Sequence, residues 1–266
     1  MKKKIILLII FLVGIILLLY PIVSQWWNSK VLSRTISNYD KVLNKVNDYS
    51  LYFEDAINYN KSLEKLDFPL TQYNEISGYK KLLNINNDGM IGYITIDKLN
   101  LKLPIYHGTS SSVLNAFVGH LEGSSLPIGG SSTHSVLSAH RGLPSSKLFT
   151  NLNKLVIGDI FSITVLDRVL YYEVDNIVVV KPNEVSYLEI VDGMDYVTLV
   201  TCTPYGINTH RLLVRGRRIS DIELEDIDIT NSSYKIDIKV ISLVIFIFIL
   251  LIVGIYLMIK TRRQFF

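Results

Sequence analysis

Cys202 is the single cysteine in this chain of 266 residues, and it lies in Tyr196-Val197-Thr198-Leu199-Val200-Thr201-Cys202-Thr203-Pro204-Tyr205-Gly206. The run up to Thr201 is strongly β-forming, and Pro204 and Gly206 end it. The thiol therefore falls where a strand gives way to a turn, a place from which a side chain projects from a sheet rim into a cleft. An ordinary thiol has a pKa of about 8.5 and is only a few per cent thiolate at neutral pH, so reactivity there needs a base or a cation beside it. Five histidines are available: His107, His120, His134, His140 and His210. His140 is set apart by Ser135-Val136-Leu137-Ser138-Ala139-His140-Arg141-Gly142, which repeats the layout of a β run, a polar end and a turn. Two such strand ends can face one cleft. Arg211 opens a further β run, Arg211-Leu212-Leu213-Val214-Arg215-Gly216, directly after the turn that follows Cys202. If these two strands form an antiparallel hairpin, Arg211 returns to the thiol. A guanidinium there can stabilise the oxyanion of a tetrahedral intermediate, an effect of a few kcal/mol.

Blander roles stand beside these. His107 next to Gly108 fits a turn, and His210 fits a polar strand end. His134, His140 and Glu122 can be drawn together as a metal set, but no recognised ligand spacing supports it. A papain-like protease needs an Asn or Asp orienter and a different local signature. A serine hydrolase lacks its Gly-x-Ser-x-Gly elbow here. A non-catalytic, membrane-anchored β-barrel binding module also fits, with an inert, buried Cys202 whose replacement by alanine leaves function intact. No reading calls for a cofactor.

The elements that position these residues are mostly strands. From Met90 onward short β-type runs alternate with turn residues, and strands are expected near 91–96, 102–106, 115–120, 135–140, 159–166, 169–180, 196–202 and 211–219. Eight strands with little helical pattern between them favour a closed barrel over a parallel sheet. Asp167-Arg168 can close the tight hairpin between the fifth and sixth. Before the barrel, Asn28 to Leu66 is helical by pattern, with Val31, Leu32, Ile36, Tyr39, Val42, Leu43, Val46, Ala56, Ile57 and Leu63 at three- and four-residue spacing. These positions are expected to pack on the barrel; a stalk is the alternative. Asp67-Phe68-Pro69 breaks the pattern.

Mean hydropathy is positive, because of two uncharged apolar runs, Ile5 to Val23 and Val240 to Ile259. Each is long enough at about 1.5 Å per residue to cross a bilayer core of about 30 Å. The first can also be read as a cleavable signal, but it exceeds a signal core of about 7 to 15 residues and no small-x-small site comes after it. Gln25, Trp26 and Trp27 stand there instead, and tryptophan suits the headgroup region. Lys2, Lys3 and Lys4 precede the first run, and Lys260, Arg262 and Arg263 lie beyond the second. Basic flanks stay cytoplasmic, so both termini are expected inside and residues of about 28 to 238 outside. The net charge of +3 comes partly from these tails, and without a basic stripe between them nucleic acid is not an expected partner. The expected organisation is a tail and anchor at 1–27, a helical region at 28–88, a catalytic barrel at 89–220, an acidic linker at 221–238, a second transmembrane helix at 239–260 and a tail at 261–266.

Thr-Leu-Val-Thr-Cys at 198–202, Ser-Ala-His-Arg-Gly at 138–142 and Arg-Leu-Leu-Val-Arg-Gly at 211–216 closely resemble the sortases. The longer Thr-Cys-Thr-Pro-Tyr-Gly and Asn-Thr-His-Arg-Leu-Leu-Val-Arg-Gly look like the pilus-assembling class C subgroup. So do Gly119-His120-Leu121-Glu122-Gly123-Ser124-Ser125-Leu126-Pro127 and the second apolar run. The resemblance covers residues of about 85 to 220. It implies an eight-stranded sortase-type barrel with His140, Cys202 and Arg211 as the catalytic set. It further implies attack on the Thr–Gly bond of an Leu-Pro-x-Thr-Gly-like sorting signal, a thioacyl-enzyme, and release by an amine: a pilin lysine, or a cell-wall precursor for a housekeeping type. Class C sortases commonly cover the cleft with a lid bearing Asp-Pro-aromatic. Here the order is Asp67-Phe68-Pro69, so either Asp67 and Phe68 plug the site from a lid near 65–72 or the segment is an ordinary helix-ending turn.

Overall fold

The computed structural model describes residues 2–220; the second apolar run, the acidic linker and the C-terminal basic cluster lie outside the described residues. The strands are β1 Met90–Ile96, β2 Leu101–His107, β3 Val118–His120, β4 Thr133–Ser138, β5 Ile160–Val165, β6 Arg168–Val180, β7 Asp195–Thr203 and β8 His210–Arg218. They close into the expected barrel in the order β1-β2-β3-β4-β7-β8-β6-β5. β2–β3 and β4–β7 pair in parallel; the other neighbours are antiparallel.

Alternation drives closure. In β5, Phe161, Ile163 and Val165 are buried while Ile160, Ser162 and Thr164 are half-buried, so one face of each strand points into a common apolar interior. Gly216 on β8 makes room there: a Cβ would stand 2.6 Å from the ring of Phe161.

Three local expectations are corrected. The strand expected at 115–120 begins only at Val118, because Ser111–Leu114 is a helical turn whose end takes up the amides of Ala116 and Phe117 on the Val113 carbonyl. The strand expected at 135–140 is Thr133–Ser138, so His140 lies just past its end. The β5–β6 turn is Leu166-Asp167 rather than Asp167-Arg168, since Arg168 already pairs with Val165. Leu166 takes the left-handed conformation, with φ of 52°, and its N–H donates to Tyr39 Oη at 3.0 Å.

The N-terminal region packs on the barrel rather than standing off as a stalk. Helix α1 runs unbroken from Lys2 to Leu43, through the boundary expected near residue 27, and α2 spans Ser50–Glu64. Leu32, Ile36, Tyr39 and Leu43 of α1 and Phe53, Ala56, Tyr59 and Leu63 of α2 are buried in the same core as the barrel interior. Among the other periodic positions, Val31 and Ile57 stay exposed. Asn60 fastens α2 by two bonds to one residue, accepting from Leu126 N–H at 2.7 Å and donating to its carbonyl at 3.3 Å.

Two buried histidines hold loops to the barrel. His120 accepts from Tyr79 O–H at Nδ1, 2.8 Å, and donates from Nε2 to the Ser125 carbonyl, 2.9 Å. His134 donates from Nδ1 to the Glu189 carbonyl and accepts from Thr198 Oγ1 at Nε2, both at 2.7 Å. Burial pushes both imidazoles down from 6.5 to about 4. In the unfolded chain both titrate near their ordinary value, so between the two the unfolded state binds more protons. Their contribution is therefore complete above about pH 6.5 and is lost as the pH falls toward 4, an effect of a few kcal/mol. Denaturant midpoints should fall steadily from pH 7 to pH 4.5; a flat profile would show that these rings are not buried in the neutral form.

Candidate active site

Strand pairing assembles the site. β4 and β7 run in register from Thr133↔Asp195 to Ser138↔Val200. The ladder continues one step further, with Ala139 N–H donating to the Val200 carbonyl at 3.1 Å. The same register sets His140 abreast of Cys202. On the other side of β7, Cys202 is the antiparallel partner of Arg211 on β8. The three residues expected to do chemistry thus occupy three adjacent backbone tracks at one rim of the barrel, each half-buried.

The residues that flank the thiol tie it to those that flank the imidazole. Thr201 Oγ1 donates to the Ala139 carbonyl at 2.8 Å, and Arg141 Nη1 donates to Thr203 Oγ1 at 3.0 Å. Arg141 Nη2 also reaches Asn153 Oδ1 at 3.0 Å. Gly142, with φ of 81°, lets the chain turn under Tyr205, whose ring would stand 2.9 Å from a Cβ at that position. The threonines and Arg141 were not singled out from the sequence; their signal is the threonine on each side of Cys202 and the arginine directly after His140.

The other histidines are engaged elsewhere. His120 and His134 use both ring nitrogens in the bonds described above, which leaves His134 no free nitrogen for the metal set considered with Glu122. His107 Nδ1 meets the Gly89 carbonyl at 3.1 Å, and its ring stands edge-on to Tyr79. His210 pairs locally with Thr209. His140 alone carries no ring hydrogen bond among the described residues. The arginines divide in the same way. Arg215 is held bidentately by Asp175 at 3.0 and 2.8 Å and stacks on Tyr196. Among the described residues, Arg211 Nη1 meets only the carbonyls of Asn208 and His210, at 3.3 and 3.1 Å, and no carboxylate.

Cys202 shares its strand face with Val200 and Thr198. That face, outside the barrel, carries a small apolar cluster of Val136, Val180, Leu188 and Leu213, with Leu70, Leu121, Val178 and Val200 packed against it. An apolar groove therefore leads to the thiol. At the groove's far end, beyond His134, lies a cavity of about 330 Å³ bordered by Leu66, Asp67, Pro69, Leu70, Leu188 and Ile190.

The segment near 65–72, expected as a lid, borders that far end. Phe68 is 69% exposed and Asp67 is exposed without an ion pair to Arg211, so the expected plug by these two side chains is not formed. The reason is local. Pro69 starts a short helix, α3 Pro69–Gln72, with Phe68 as the residue before it, bonded through its N–H to Gln72 Oε1. Leu70 is the residue turned inward, and the backbone of Pro69 and Leu70 rests directly on Gly123.

Residues 94–219 match the Sortase domain family. Sortase C1 from Streptococcus agalactiae is 49% identical, with a TM-score of 0.65, covering 71% of this chain and 99% of that one. The chain belongs to the sortase family. Sortase C from Streptococcus pneumoniae is 42% identical, with a TM-score of 0.64, over 70% of this chain and 97% of its own. Sortase D of Bacillus subtilis is more distant, 27% identical over 132 residues, and the match spans 64% of that relative's length. The two solved structures are class C sortases, and each match covers more of this chain than the barrel alone.

The threonine and Arg141 bonds predict a rate effect without loss of the fold. Thr201→Val and Arg141→Ala should each lower kcat about tenfold or more by loosening the rim, while KM for a sorting peptide stays within about twofold. Arg141→Lys should recover part of the rate. Equal losses in KM would mean that these side chains bind substrate instead.

Proposed function

We propose that this chain is a class C-type sortase, a cysteine transpeptidase that joins surface proteins through a Leu-Pro-x-Thr-Gly-like signal. The observation that carries this reading is the placement of Cys202 between the His140 track and Arg211, at the end of an apolar groove. In the first half-reaction Cys202 Sγ attacks the threonine carbonyl, and the Thr–Gly bond breaks. The thiol proton passes through His140 to the leaving glycine amine, and a thioester remains. In the second, an amine attacks that thioester, gives its proton to His140, and the thiol is restored. Arg211, with no carboxylate partner among the described residues, supplies positive charge to the oxyanion in both steps. The apolar groove keeps water from the thioester and so favours amines over hydrolysis.

The acceptor in this reading is a lysine of the next pilin subunit. The likeness to the Streptococcus pneumoniae sortase C, whose structure bears on pilin substrate specificity, supports it. A housekeeping role with a cell-wall amine as acceptor is the second reading. The apolar stretch of α1 serves as the membrane anchor: its apolar window has a mean hydropathy of 2.2 and only 6% of it is buried against the protein. In this reading both termini are cytoplasmic and the barrel is extracellular. The segment near 65–72, resting on Gly123 through Pro69 and Leu70, acts as a cover for the far half of the groove.

Incubating the full chain with a Leu-Pro-x-Thr-Gly peptide should yield an adduct at Cys202, detected by intact mass and released by an added amine. Cys202→Ala should form none, and Arg211→Ala should slow formation by about a hundredfold or more. Absence of an adduct both in the intact chain and after removal of residues 65–72 would favour the non-catalytic binding module.

A further inference from the structure

The anchor helix also decides which end of the barrel faces the bilayer. The apolar stretch of α1 ends at Val23. In the next turn, Ser24 Oγ and Gln25 Nε2 donate to the Pro144 carbonyl at 3.5 and 3.3 Å, and Asn28 Nδ2 donates to the Ser145 carbonyl at 2.7 Å. Pro144 and Ser145 belong to the loop just past His140. Eleven residues beyond Asn28, a rise of about 16 Å along the helix, Tyr39 O–H donates to the Ile91 carbonyl at 3.2 Å and accepts from Leu166 N–H. Ile91 lies at the start of β1 and Leu166 in the β5–β6 turn. The strand directions put both at the barrel end opposite Cys202. Thus α1 leaves the membrane beside the His140 loop and climbs away from it along the barrel.

The rim so placed carries exposed apolar side chains. Tyr205 and Ile207, in the turn between Cys202 and Arg211, are 61% and 67% exposed. Tyr205 rests on Gly142, two residues from the Pro144 that touches α1. Trp26 and Trp27, 58% and 59% exposed, stand on α1 at the same level. Aromatic and aliphatic side chains left open to water at this depth have a natural partner in the headgroup–acyl boundary.

Resting on the reading of α1 as an anchor, we propose that the bilayer surface is the partner of this rim: Tyr205 and Ile207 insert into its boundary beside Trp26 and Trp27, and the thiol opens toward the membrane. Pro144 is four steps along the chain from His140, so the catalytic rim stands at most about 14 Å above the headgroup-level turn. The substrates this geometry admits are proteins that are themselves held at the membrane, sliding in along its surface, rather than chains arriving from bulk solvent.

The test uses the full chain with Cys202→Ala, reconstituted in phosphatidylcholine–phosphatidylglycerol vesicles and spin-labelled at one introduced cysteine. Val23→Cys reports the anchor, Ile207→Cys the rim, and Val169→Cys, at the opposite end and 44% exposed, the solvent side. Collision rates with oxygen and with a water-soluble nickel chelate give the depth of each label. The expected result is an oxygen-to-nickel ratio several-fold higher at 23 and 207 than at 169. A lipid-level ratio at 23 with 207 matching 169 would overturn the rim proposal and leave the anchor intact. A water-level ratio at 23 would overturn the anchor reading and the proposal together.

Discussion

β4 and β7 lie parallel and in register, and side chains on paired parallel strands face the same way. Once this ladder forms, the residue after Ala139 must stand beside the residue after Thr201, on the outer face of the barrel. Antiparallel β8 then brings Arg211 to the other side of Cys202 without any further choice. The proposed reaction depends on two pairings of opposite sense meeting on one strand, with β7 held between β4 and β8. Thr201 and Arg141 secure the last step, where the β4 ladder has ended and the His140 loop begins.

The same barrel separates two polar populations. His120, His134 and Arg215 are committed to carbonyls, a hydroxyl and a carboxylate, and they hold loops and strands together. Among the described residues His140 carries no ring hydrogen bond and Arg211 meets no carboxylate, only the carbonyls of Asn208 and His210, so both stay available at the rim. A buried group with all its bonds made is structural, because changing its charge breaks those bonds. A half-buried group without them is free to exchange protons or to receive developing charge. The helices contribute through the core, with Tyr39 and Asn60 bonded to backbone on opposite sides of the interface.

Much of this was legible in the residues. Strong β runs ended by proline or glycine mark where Cys202 and His140 sit, and the antiparallel hairpin that returns Arg211, only a condition in the sequence, is formed by β7 and β8. Short β-type runs bounded by turn residues located all eight strands, with the third starting at Val118 and the fourth at Thr133. What failed was governed by interactions distant in sequence or by competing local structure. The residues 115–117 carry β-forming Phe117, yet the preceding helical turn claims their amides. Leu166 takes the positive φ that a two-residue hairpin turn demands, and Tyr39, 127 residues away, accepts its N–H. The inward turn of Leu70 in place of Phe68 depends on contact with Gly123, which no local pattern encodes. The parallel sense of β4 and β7, on which the site rests, could not be read from either strand.

Disulfide trapping tests that register directly. In a His140→Cys chain the two cysteines should lie on neighbouring parallel tracks, with Cα atoms roughly 5 Å apart, inside the roughly 4.4–6.8 Å range that a disulfide spans. Mild oxidation should therefore join residues 140 and 202 rapidly within one molecule. A Ser138→Cys chain, whose cysteine faces Val200 and sits roughly 8 Å from residue 202 by strand geometry, should stay reduced under the same conditions. Rapid closure at 140 alone is the predicted result. Failure at 140, or equal closure at 138, would contradict the register and with it the assembly of His140, Cys202 and Arg211.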